Sequence, residues 1–207
     1  MKKILTSITT LILVLTLALP GVSAQENQVF DDVPTNHPNF KDINYLVEKG
    51  ILSQGGKYRP SDLISREETV VMVAKAIGLD GTPRETKFED VPKSNKNSGY
   101  IQSAAEIDVI YGMNFDEFKP ENKLTRSQMS LVLARAFNLP IKAKGEEVQV
   151  FKDVWLGTNF AGSVEAIVNA GITTGYADGT FKPHASLTRA HMAAFLARAM
   201  KYAENNI

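Results

Sequence analysis

The chain has 207 residues, with 23 basic and 23 acidic side chains and no cysteine. A balanced charge provides no overall positive field to draw the protein onto nucleic acid or anionic lipid. The missing cysteine excludes disulfides and thiolate chemistry, so stability must come from packing.

The first element is a targeting segment. Lys2 and Lys3 precede an apolar and hydroxyl run from Ile4 to Leu19, closed by Pro20, Gly21 and the small-residue triplet Val22-Ser23-Ala24. A basic start, an apolar middle and an A-x-A-like site predict a cleaved signal peptide over residues 1–24, and the run is too short for a comfortable bilayer span. Cleavage removes Lys2 and Lys3 and leaves 21 basic against 23 acidic residues, a net charge of −2. The expected product is an exported chain starting near Gln25, with no membrane attachment once the signal is removed.

Three ordered strings then recur three times. Phe30-Asp31-Asp32-Val33, Phe88-Glu89-Asp90-Val91 and Phe151-Lys152-Asp153-Val154 are spaced by 58 and 63 residues. Tyr58-Arg59-Pro60, Phe118-Lys119-Pro120 and Phe181-Lys182-Pro183 follow in step, and then Leu63-Ile64-Ser65-Arg66, Leu124-Thr125-Arg126 and Leu187-Thr188-Arg189. Self-similarity at this period implies a repeat array. The copies fall at 25–79, 88–139 and 151–207, with polar, Gly- and Pro-punctuated linkers at 80–87 and 140–150.

Each copy reads as helix, loop, helix. The first helices carry Ile43, Leu46 and Val47, then Ile101, Ala104 and Ala105, then Val164, Ile167 and Val168. Gly50 and Gly171 are expected as left-handed C-caps, and Asp108 at the matching place predicts a different turn, because a side chain penalises that conformation. From this cap to the motif arginine the first loop runs 16 residues and the other two 18. The second helices begin at capping boxes, Ser65 with Glu68 and Thr125 with Gln128, while Thr188 faces His191. Apolar stripes at helical spacing follow, as in Met129, Val132, Leu133, Ala136 and Phe137. Lys75, Arg135 and Arg198 are expected in or near the last turns, favoured by the helix dipole. A two-helix unit cannot bury its own apolar face, so the three copies should pool their second helices in one core. The predicted fold is all-α, three helix-loop-helix repeats in one pseudo-threefold bundle.

These strings resemble the S-layer homology domain. Gly171-Ile172-Thr173-Thr174-Gly175-Tyr176-Ala177-Asp178-Gly179-Thr180-Phe181-Lys182-Pro183, with Leu187-Thr188-Arg189-Ala190-His191, follows that family's loop and its Thr-Arg-Ala-Glu motif except at His191. The resemblance implies a spindle-shaped helical fold and noncovalent binding of secondary cell wall polysaccharide, often pyruvylated, in grooves between neighbouring repeats. It implies ligand-binding roles for Arg66, Arg126 and Arg189, for the loop residues Gly175, Tyr176 and Asp178 of the third copy and Gly112 of the second, and for Asp32, Asp90 and Asp153. The expected location is outside the cell, in the wall or S-layer, with a polysaccharide as partner and an envelope protein as a further one. The shortened loop marks the first copy's groove, and with it Arg66, as the weakest.

The chemistry is consistent with that transfer. A sugar carboxylate is well held by a planar guanidinium, and an arginine at a helix start adds its charge to free amides there. The plain alternative is a helix cap with a solvated arginine and no ligand; in both readings the arginine is expected to be solvated, so that replacing Arg126 or Arg189 by Ala leaves stability almost unchanged. Capping accounts for the hydroxyl but not for arginine in all three copies.

The remaining candidates have structural readings as well. Asp31 and Asp32 could be an acid pair, but only Asp32 recurs, which favours a cap or turn. His37, His184 and His191 lack metal-ligand spacing, so neither metal nor cofactor is expected. Trp155, the single tryptophan, is either a sugar-stacking ring or a partly buried core residue. No catalytic constellation stands outside the repeats, which predicts a binding protein rather than an enzyme; the competing reading is an interaction protein or a regulator of wall-processing enzymes.

Overall fold

A computed structural model describes residues 28–206, so the signal peptide expected at 1–24 lies outside the described residues. Six helices follow one another: α1 (Phe40–Glu48), α2 (Arg66–Ala76), α3 (Ser98–Glu106), α4 (Arg126–Ala136), α5 (Ala161–Asn169) and α6 (Arg189–Asn205). Among the described residues there is no strand, only three isolated antiparallel bridges, Leu63 with Thr188, Ser65 with Lys123 and Thr125 with Ser186. The architecture is all-α.

The starts of α2, α4 and α6 form where their hydroxyls stand. Ser65 and Thr125 accept the N3 amides of Glu68 and Gln128, whose side chains reach back to the cap amides, and Thr188 accepts from the His191 amide. Each first helix ends in a Schellman turn: the amides of Ile51, Val109 and Ile172 return to the carbonyls of Leu46, Ala104 and Ile167. Asp108 does not alter this turn. It takes φ 59°, beside 71° at Gly50 and 68° at Gly171, so the second copy accepts backbone strain that tertiary packing outweighs. Arg198 also departs from expectation, because α6 continues to Asn205 and leaves it in mid-helix, donating to the Ile172 carbonyl at 3.2 Å.

The two helices of one copy do not pack on each other. Instead α2 lies against α3, α4 against α5 and α6 against α1, so each second helix is paired with the first helix of the next copy and the third copy closes on the first. The segments 80–87 and 140–150 are laid along these seams: Arg84 binds Asp80, Ser103 and Glu106, and Glu165 accepts the Val148 amide and pairs with Lys142. The second helices α2, α4 and α6 also touch one another in pairs. Ala74, Ala134 and Ala197, each eight positions after its arginine, are completely buried, and their small side chains permit that close approach.

Closure is written in the backbone. The Ile64 amide donates to Leu187, Leu187 to Leu124 and Leu124 to Ile64, at 3.0, 2.9 and 3.1 Å, a ring of three hydrogen bonds through residues that are almost wholly buried. Ile64, the residue before the Ser65 cap, is therefore the counterpart of Leu124 and Leu187, while Leu63 is exposed. Around this ring the motif aromatics pair within each copy: Phe30 on Tyr58, Phe88 on Phe118 and Phe151 on Phe181, at 5.1, 5.5 and 5.5 Å between ring centres.

Candidate functional site

Each loop is stapled by its motif aspartate. Asp32 accepts the amides of Tyr58 and Arg59, Asp90 those of Phe118 and Lys119, and Asp153 those of Phe181 and Lys182, all between 2.6 and 2.8 Å. The second residue of each pair is left-handed, Arg59, Lys119 and Lys182 at φ 59°, 59° and 57°, immediately before a proline. Two charge-assisted bonds per carboxylate hold this strained corner. For Asp32, burial raises the pKa, but bonds from the Arg59, Tyr58 and its own amides outweigh it and leave the carboxyl below its usual range. The aspartates thus shape the loop with both oxygens occupied by their own copy's backbone.

The corner presents a carbonyl to the arginine of the preceding copy. Arg66 donates through Nε to the Phe118 carbonyl at 3.0 Å and through Nη2 to Tyr111 at 3.0 Å. Arg126 donates through Nε to Phe181 at 2.5 Å, and Arg189 through Nε to Tyr58 at 2.7 Å. All three guanidiniums lie against aromatic faces, Arg66 over Phe118 at 4.8 Å, Arg189 over Tyr58 at 4.9 Å, and Arg126 among Tyr176, Phe181 and Phe195 at 4.9, 4.5 and 5.2 Å. Arg66 is 7% and Arg126 5% exposed. The expectation of a solvated arginine is overturned, because each side chain is the clamp across an inter-repeat seam. Burial lowers the pKa of both, partly offset by Asp90 for Arg66 and by Tyr176 and Asp153 for Arg126.

The helix-start amides are not free either. Those of Arg66, Arg126 and Arg189 donate to Asn122, Ala185 and Asp62, and those of the next residues to Pro120, Pro183 and Pro60. With the N3 amide taken by the cap, the first turn is satisfied by the following copy, and any charge attraction in the groove must come from side chains.

The seams differ in what faces each arginine. Because an arginine reads the following copy's loop, the shortened first loop belongs to Arg189 and not, as expected from the sequence, to Arg66. Arg189 also pairs with Glu68, the third residue of α2, in a cleft of about 380 Å³ that Lys96, Asn97 and Lys123 help to line. Arg66 opens on a cleft of about 280 Å³ with Tyr111, Gly112, Met113, Gln128 and Arg135, whose guanidinium stacks on Tyr111 at 4.5 Å. Arg126 faces the full-length third loop and His191, the counterpart of Glu68 and Gln128; burial and then Arg126 lower the His191 pKa.

Gly175 and Gly112 mark close approaches. A Cβ on Gly175 would come within 2.2 Å of the Phe151 ring, and one on Gly112 within 2.3 Å of the Asn114 carbonyl oxygen and 3.1 Å of Phe88. Only glycine lets the loop cross its motif phenylalanine so closely. Asp178 accepts the amide and hydroxyl of Thr180, closing the loop tip upon itself. Tyr176 is 38% exposed, wedged between Arg126 and Lys182. Trp155 is 70% exposed, so it is not a core residue. Sequence reasoning missed Arg135, Tyr111 and Glu68 as groove residues. The third helical position of each copy, Glu68, Gln128 or His191, was the available signal, and it was read only as a cap.

The S-layer homology domain profile matches residues 29–70, 87–130 and 150–193, one match per copy. The chain belongs to the S-layer homology domain family. It is 31% identical over 201 residues to S-layer protein EA1 of Bacillus anthracis, across 95% of this chain and 22% of that protein. An uncharacterized cell wall amidase of Bacillus anthracis is 30% identical, with 92% of this chain and 35% of the amidase covered. A cellulosome-anchoring protein of Acetivibrio thermocellus is 29% identical, with 84% and 39% covered. This S-layer homology chain therefore spans between about a fifth and two fifths of these relatives' lengths. Among its described residues no helix is long and apolar enough to cross a membrane.

Proposed function

We propose that this chain is a noncovalent wall-anchoring module that acts outside the cell and binds an anionic target, the secondary cell wall polysaccharide with its pyruvyl groups, through the seam arginines. The observation that carries the reading is the recurrence of one arginine per seam, buried at Arg66 and Arg126 and partly buried at Arg189, flanked by aromatic faces and a rigid loop corner. A positive group held this way on a chain with no net positive charge is a local anion site, and its planar donors suit a carboxylate. Relatives whose names describe S-layer proteins and cellulosome anchoring support the same assignment. The match to an amidase covers a part of that protein shared with non-amidases, which supports binding rather than turnover as this chain's own role.

Of the candidate contacts, Arg126 with Tyr176 forms the strongest site, Arg66 with Gly112 and Arg135 the second, and Arg189 with Glu68 the weakest, since Glu68 already occupies the cation. Asp32, Asp90, Asp153, Gly175 and Asp178 serve the ligand by holding the loops. The test is sedimentation of the protein with purified cell walls before and after acid removal of the polysaccharide. Binding should be lost on stripping. Binding that survives would replace this reading with a peptidoglycan or envelope-protein partner.

A further inference from the structure

The third copy carries a surface that the other two lack. Where Val33 and Val91 are followed by Pro34 and Pro92, Val154 is followed by Trp155, whose ring is 70% exposed. Beside it lies a depression of about 500 Å³ lined by Trp155, Thr158, Phe160, Lys182, Pro183 and His184. Its floor is ordered: the Phe160 ring meets His184 edge-on at 6.0 Å, and the Lys182 amide is fixed by Asp153 at 2.7 Å. Its far wall is also the seat of α4, because the carbonyls of Pro183 and Ala185 accept the amides of Ser127 and Arg126.

The depression is linked to the Arg126 site by Lys182. Lys182 lines it and also places its ammonium 4.2 Å from the Tyr176 ring centre, and the other partner of that ring is Arg126 at 4.9 Å. A chain of groups therefore runs from an open indole, past a lysine, to a tyrosine and a buried guanidinium. A wide aromatic face with a cation at its rim suits a ligand with an apolar face and polar edges. A pyranose ring has that character, its axial C–H bonds on one face and its hydroxyls around the edge. Exposed apolar surface that lines a depression is of the kind that marks an interaction site.

We infer that Trp155 and the depression beside it form a stacking subsite for a neutral sugar ring of the same polymer whose anionic residue sits at Arg126, an inference that rests on the wall-polysaccharide reading above. Lys182 bridges the two subsites. The third copy would then bind two or more consecutive sugars, and the Pro34 and Pro92 positions none.

Because Trp155 is the only tryptophan, its fluorescence reports on this subsite alone. Titration of the full chain with purified wall polysaccharide should shift or quench the emission in a saturable way. Trp155→Ala should weaken wall binding about 2- to 10-fold, and Trp155→Phe should recover most of the loss, since a smaller ring still stacks. Circular dichroism checks that both variants remain folded, as expected for a side chain outside the core. Polysaccharide binding with unchanged emission, and equal affinity in Trp155→Ala, would overturn the subsite while leaving the arginine grooves standing. Absence of any polysaccharide binding by the wild type would overturn both.

Discussion

Replacing Arg126 by Ala separates the clamp from the ornament. The side chain is 5% exposed, donates to the Phe181 carbonyl at 2.5 Å and lies against three aromatic rings. Its removal forfeits a hydrogen bond to a charged donor, worth about 1.5–3 kcal/mol, and leaves a buried carbonyl without that partner. Each ring contact contributes roughly 0.5–1 kcal/mol more. Against this, the variant no longer buries a charge, a cost visible in the lowered pKa of Arg126. The net loss should be about 2–4 kcal/mol of a total stability of the order of 5–15 kcal/mol. Urea unfolding followed by circular dichroism measures it, and thermal unfolding should show a drop in melting temperature of roughly 5–15 °C. Arg126→Lys should fall between, keeping charge but losing the planar fork. Wall binding, assayed at a temperature where every variant is folded, should weaken by about one to two orders of magnitude in Arg126→Ala. A stability change under about 0.5 kcal/mol, the range of an ordinary surface substitution, would show that the guanidinium is solvated and refute the clamp.

Asp153→Ala should cost about 2–4 kcal/mol in the same unfolding assay, because two charge-assisted bonds and the left-handed Lys182 corner go together; Asp178→Ala, at the exposed loop tip, is the control and should change little. Asp108→Gly should raise stability by about 0.5 kcal/mol, since its φ of 59° costs a side-chain-bearing residue more than glycine, less the added freedom of the unfolded chain. His191 provides the pH dependence. Burial and Arg126 depress its folded pKa below the unfolded value of about 6.5, so its contribution to stability is present above that pH and is lost as pH falls through the folded pKa. An anionic ligand at Arg126 favours the protonated ring, so wall binding should strengthen as pH falls from about 7.5 to 5.5 while His191→Gln stays flat. A proton-NMR titration of the ring, with and without polysaccharide, checks both signs.

The local elements were legible in the sequence because their causes are local. The capping boxes at Ser65 and Thr125, the apolar stripes of α2 and α4 and the turn glycines Gly50 and Gly171 each act within a few residues of where they are written. Recurrence of three strings also made the threefold arrangement and the shared core readable, since two helices alone leave an apolar face uncovered. What the sequence could not decide is which copy each motif serves. The arginine of one copy and the loop it clamps lie 45 to 55 residues apart along the chain, and 131 apart where the third copy meets the first. No periodicity within a helix encodes such a pairing. The burial of Arg66 and Arg126, the occupation of their helix-start amides by the next copy, and the assignment of the short loop to Arg189 all follow from ring closure through Ile64, Leu124 and Leu187. That closure is a property of three copies meeting around one axis, where a backbone amide finds its partner only in another repeat.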